Sequence, residues 1–96
     1  MELDVFVRLH ARSGEEASVE SALREVVSAS RTEPGCLNIQ AYRSKRNRAL
    51  FFIHSRWKND EAFEIHAALP HTVRFLERVD PLVDPAREIV RTELLA

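Results

Sequence analysis

Leu50-Phe51-Phe52-Ile53-His54-Ser55-Arg56-Trp57-Lys58-Asn59-Asp60-Glu61 is the stretch on which the fold turns. Residues 50–57 read as a strand that is apolar on both faces over its first half. A strand of that kind is normally covered on both sides. Ile53, Ser55 and Trp57 share one face, and His54 and Arg56 share the other. Asn59-Asp60-Glu61 then starts a helix, with Asn59 as cap and two acids at the positive end of the dipole. In a chain of 96 residues helices suffice for one face only. A second subunit is the simplest cover for the other.

Upstream, Leu37 to Arg43 reads as a strand, and the short polar run Ser44-Lys45-Arg46-Asn47-Arg48 joins it to residues 50–57 as a hairpin. Before that, Ser13-Gly14-Glu15-Glu16 fits a capping box, with Ser13 as N-cap and Glu16 reaching back. Val19, Leu23, Val26, Val27 and Ser30 follow at helical spacing, and Glu33-Pro34-Gly35 stops the helix. Leu3 to Ala11 alternates with period two, which predicts a strand. Downstream, Ala62, Phe63, His66 and Ala67 share a helix face. Pro70 interrupts, and Val73, Leu76 and Val79 resume on a second helical piece. Asp80-Pro81 and Asp84-Pro85 end it, and Arg87 to Leu94 closes the chain as a fourth strand. The order β-α-β-β-α-β predicts one α+β domain over residues 1–96. It is the ferredoxin-like arrangement, a four-stranded antiparallel sheet with helices on one face. The open sheet face predicts a homodimer.

Composition narrows the function. With 45% hydrophobic and 30% charged residues the chain is too apolar for disorder and too charged for a membrane span. Fourteen basic against fifteen acidic side chains leave no surplus for phosphate binding, so nucleic acid is not an expected partner. The basic hairpin tip, Arg43, Lys45, Arg46 and Arg48, reads as a solvated turn. The single cysteine, Cys36, excludes an internal disulfide and a cysteine zinc cage, and reads as a small buried hydrophobe. No basic segment precedes an apolar stretch at Met1-Glu2-Leu3-Asp4-Val5, so no signal peptide is expected and a cytoplasmic location is. Two glycines, Gly14 and Gly35, cannot build a phosphate loop or a dinucleotide fingerprint, so no cofactor of those kinds is expected.

The run from Ser55 to His66, followed by Leu69-Pro70-His71 and Phe75, resembles the antibiotic biosynthesis monooxygenase family. Glu33-Pro34-Gly35-Cys36-Leu37 is similar to that family's helix-to-strand corner. The resemblance implies a dimeric α+β barrel with one cleft per subunit between sheet and helices. It also implies a cofactor-independent monooxygenase that oxidises anthrone- or quinol-type aromatic molecules with dioxygen. Members often carry glutamate two residues before the tryptophan; here Ser55 stands there. Relatives that degrade haem use an asparagine early in the first strand. Asp4, Phe6 and Arg8 occupy that region, which makes haem the more distant reading. A non-catalytic binding protein or a stress-associated dimeric barrel on the same scaffold is the alternative function.

His66 is the candidate catalytic base, since a neutral imidazole beside Phe63 can accept a phenolic proton. Its other reading is a hydrogen-bonded core histidine at the helix break. Trp57, Phe63 and Phe75 are candidate substrate-binding residues that would hold a ring plane; Trp57 reads equally as a core anchor. His71 is a candidate at the cleft mouth, or else a local cap. On an unbroken helix His66 and His71 point about 140° apart, which is not helical zinc spacing, so no metal is expected. His54, opposite Trp57, is expected at a subunit interface.

Overall fold

The computed structural model describes residues 1–96. Its elements are β1 (Leu3–His10), α1 (Glu16–Ser30), β2 (Cys36–Arg43), β3 (Leu50–Trp57), α2 (Asp60–Ala68), α3 (Pro70–Val79), a 3₁₀ turn (Asp80–Leu82) and β4 (Glu88–Thr92). The sheet order is β2-β3-β1-β4, with every pairing antiparallel. This is the ferredoxin-like α+β sheet. The second helical segment is divided in two, because Pro70 forces Leu69 into extended backbone (ψ 147°) and then serves as the first residue of α3.

Alternation decides the faces. In β3, Phe51, Ile53, Ser55 and Trp57 are buried under the helices, while the residues between them are half-buried on the open face. Val19, Ala22, Leu23, Val26, Val27 and Ser30 form the buried stripe of α1. Asn59 caps α2, its side chain accepting the Ala62 N–H at 2.8 Å. The capping box at Ser13 does not form. Gly14, at φ +87°, bends Arg12–Glu15 into a tight turn, and Glu15 becomes the N-cap without a side-chain bond. Ser13 thus stands too early to reach the first helical N–H groups.

Gly35 is needed for a different reason. A Cβ there would lie 2.5 Å from Ala62 Cβ, so only glycine lets the corner after α1 press against α2. Lys58 N–H donates to the Gly35 carbonyl at 3.0 Å, which ties that corner to the end of β3.

The open face is apolar in part. Phe6 is 47% and Val90 43% exposed. The surface of 6096 Å² exceeds the roughly 5,600 Å² expected for a folded monomer of this mass. No helix is long and apolar enough to cross a membrane.

Candidate functional site

The strand alternation and the helix break together build a cavity of about 270 Å³ between sheet and helices. Val5, Val7, Ile53 and Ser55 form its sheet wall; Phe63, His66, Thr72 and Phe75 form its helix wall. Arg91, from β4, is the only charged group in the lining. Its guanidinium lies 4.9 Å from the Phe63 ring centre and pairs with Glu64. The volume is close to the ~300 Å³ lower end of ligand pockets, and an apolar wall with a few polar groups is their usual make-up.

His66 is the polar centre of the helix wall. It is 8% exposed and comes from the last turns of α2. Its Nδ1–H donates to Glu33 Oε2 at 2.8 Å, and Thr72 Oγ1 lies 3.3 Å from the same nitrogen. A carboxylate only accepts, so this bond fixes the proton on Nδ1 and leaves Nε2 with its lone pair. Nε2 makes no hydrogen bond within the fold. Burial lowers the pKa of His66 below the usual 6.5, outweighing the opposite pull of Glu33; His71 adds to the lowering. The ring is therefore neutral at neutral pH, the state of a base.

Of the predicted site residues, the structure brings Phe63, His66 and Phe75 to the cavity. Trp57 does not line it. It is fully buried behind His66, ring centres 4.4 Å apart, and its indole N–H donates to Ser55 Oγ at 2.9 Å. Ser55 thus satisfies the buried indole. His71 also stays out of the lining. Its Nε2–H donates to Glu33 Oε2 at 2.7 Å. The 140° separation of His66 and His71 does not hold, because the chain kinks at Leu69-Pro70 and swings α3 so that both imidazoles meet one oxygen.

Glu33 was not singled out in the sequence, where it reads as part of a helix stop. The available signal was an acid immediately before Pro34-Gly35; in the fold it is 9% exposed. A buried carboxylate needs partners, and two histidines supply them. Arg91 and Thr72 were also missed, since nothing in their local sequence marks them. Cys36 is half-buried, and burial raises its thiol pKa, with the Glu33 charge adding to this, so it is a weak nucleophile.

The opposite face of the sheet carries a second polar group. His54 Nε2–H and Arg56 Nε–H both donate to Asp4 Oδ1, at 2.8 and 3.1 Å, and Phe6 stacks on the His54 ring at 4.7 Å. The His54 hydrogen bond holds the Asp4 carboxyl below its usual 3.8, helped by Arg56 and opposed by burial. A depressed folded-state pKa gives stability that is present above pH 3.8 and lost as pH falls through the folded value. Thermal melts of wild type and Asp4→Asn should therefore differ by a steady gap above pH 3.8. The gap should narrow below it; a gap unchanged in acid would refute this assignment.

A sequence profile described as antibiotic biosynthesis monooxygenase matches residues 4–78. Solved structures share the fold over nearly their whole length. A Pseudomonas aeruginosa protein is 28% identical, with TM-score 0.91, covering 99% of this chain and 95% of its own. A Mycobacterium tuberculosis protein is 19% identical at TM-score 0.94, covering 100% and 97%. A structure described as an antibiotic biosynthesis monooxygenase is 21% identical at 0.92, covering 98% and 99%. A search of curated proteins gives no significant match. The profile spans most of the chain, including β1, the Glu33 corner and both histidines that meet there, and the chain belongs to the antibiotic biosynthesis monooxygenase family.

Proposed function

We propose that this protein is a cofactor-independent monooxygenase for a small planar aromatic molecule of the anthrone or quinol type. The observation that carries the reading is the Glu33–His66 pair, which sets a neutral imidazole on the wall of an apolar cavity. His66 Nε2 takes the proton of a phenol or enol. The resulting anion gives one electron to dioxygen, and the substrate radical and superoxide combine at carbon. For an anthrone, the hydroperoxide then loses water to give the quinone. One oxygen atom stays in the product and the other leaves as water with the two methylene hydrogens. Phe63 and Phe75 hold the ring plane, and Arg91 is the one cation near a developing oxyanion. The test is oxygen uptake above autoxidation with reduced naphthoquinones and anthrones, wild type beside His66→Ala.

The working unit in this proposal is a homodimer, with a second copy seated on the open sheet face at Phe6, His54 and Val90. A half-exposed phenylalanine and the surface excess support that reading. Phe6→Glu would place a carboxylate in the interface, where an unpaired charge is costly. Sedimentation should show wild type as a dimer and Phe6→Glu as a monomer with its helical circular dichroism intact. Wild type sedimenting as an 11.0 kDa monomer would remove the dimer from the proposal.

A further inference from the structure

Orienting His66 requires one carboxylate and one hydrogen bond. The structure holds a second imidazole on that carboxylate, His71, which the oxygenase reading leaves without work. Glu33 Oε2, His66 Nδ1 and His71 Nε2 all lie within 4.8 Å of one another. They come from three different elements: the corner after α1, the end of α2 and the first turn of α3. Two imidazoles and one carboxylate are a ligand set for a borderline divalent cation, with an open position for water. We propose that Glu33, His66 and His71 form a binding site for one divalent transition-metal ion of the Zn²⁺ or Co²⁺ kind.

The geometry needs only a small adjustment. With metal–ligand bonds of about 2.0–2.2 Å, the donors of a tetrahedral site lie about 3.3 Å apart. The two nitrogen–oxygen separations, 2.8 and 2.7 Å, then open by roughly half an ångström, and the two ring nitrogens, within 4.8 Å of each other, settle at the same spacing. Access exists from more than one side. His66 faces the apolar cavity, His71 faces a groove between α1 and α3, and Glu33 borders a third hollow beside α2. His71, whose side chain is 22% exposed, gives the triad its contact with solvent. Thr72 Oγ1 lies 3.3 Å from His66 Nδ1, beside the proposed ligand atom, where its hydroxyl can hydrogen-bond a water carried by the ion.

Metal and proton are alternative occupants of the same nitrogen. With an ion on Nδ1, the neutral His66 ring carries its proton on Nε2, and the lone pair that serves as base is gone. This inference goes beyond the oxygenase reading and does not need it, because binding is measured without substrate.

The test is a Co²⁺ titration of the full chain after chelator treatment, read by visible absorption, followed by Zn²⁺ competition. One equivalent should bind with the intense visible bands of a tetrahedral site and be displaced by Zn²⁺. His71→Gln and Glu33→Gln should each lose the bands and about tenfold or more in affinity. His54→Gln, on the far face of the sheet, should keep both. Circular dichroism verifies that each variant is folded; His71 is partly exposed, so His71→Gln is the variant least dependent on core packing. Absence of Co²⁺ binding in wild type, or binding that survives His71→Gln, overturns the proposal.

Discussion

His66→Ala is expected to reduce oxygen uptake by about 10²–10⁴-fold, the usual worth of a positioned general acid or base. The substitution removes the only histidine that borders the cavity. Glu33→Gln should fall between wild type and His66→Ala. Glutamine can still accept from Nδ1 through its amide oxygen, but it supplies no negative charge to stabilise the imidazolium formed when Nε2 takes a proton. Phe75→Leu, which keeps an apolar wall, should raise KM with a smaller effect on kcat. Steady-state uptake with saturating dioxygen separates these outcomes. A loss of only twofold in His66→Ala would end the base assignment. Substrate bound with no uptake in wild type would turn the reading toward the binding-protein alternative.

Trp57→Ala is expected to destabilise the fold by about 3–5 kcal/mol, the range for deleting a large buried aromatic. The indole is 0% exposed and packs against Phe63 and His66 with ring centres 5.8 and 4.4 Å away. Its removal also leaves Ser55 Oγ, on a residue 3% exposed, without the N–H it accepts from. At roughly 4–8 °C per kcal/mol for a domain of this size, the Tm should fall by about 12 °C or more. Trp57→Phe keeps most of the volume and should cost much less. Activity lost in Trp57→Ala therefore does not report substrate stacking. The informative comparison is Trp57→Phe, which should retain uptake because the ring does not line the cavity. A drop of only a degree or two in Trp57→Ala would contradict the packing described here.

The two readings of Trp57 diverged for a physical reason. Alternation places a residue on a face, and Trp57 is indeed on the helix face with Ser55 and Ile53. Whether a residue on that face meets a cavity or a neighbouring ring depends on where α2 crosses the strand end. That crossing is set by the contact of Gly35 with Ala62, between residues 27 positions apart in the chain. The misplaced capping box has a similar origin. Ser13 and Glu16 have the right spacing, but the turn at Gly14 takes up the residues a capping box needs.

Hydrophobic periodicity and chain punctuation by themselves determined the strand and helix order, the alternation of β1 and β3, the helix break at Pro70 and the shared helix face of Phe63 and His66. These are local properties, carried by side-chain alternation, by proline's missing N–H and by cap chemistry. The candidacy of His66, Phe63 and Phe75 as site residues came with the family resemblance. Only the tertiary structure decided that Glu33 meets His66 and His71, and that Trp57 stands behind the wall. Those contacts join residues 33 to 38 positions apart or depend on the angle between packed helices. A buried carboxylate is recognisable in sequence only as an acid; its partners follow from how α1, α2 and α3 converge.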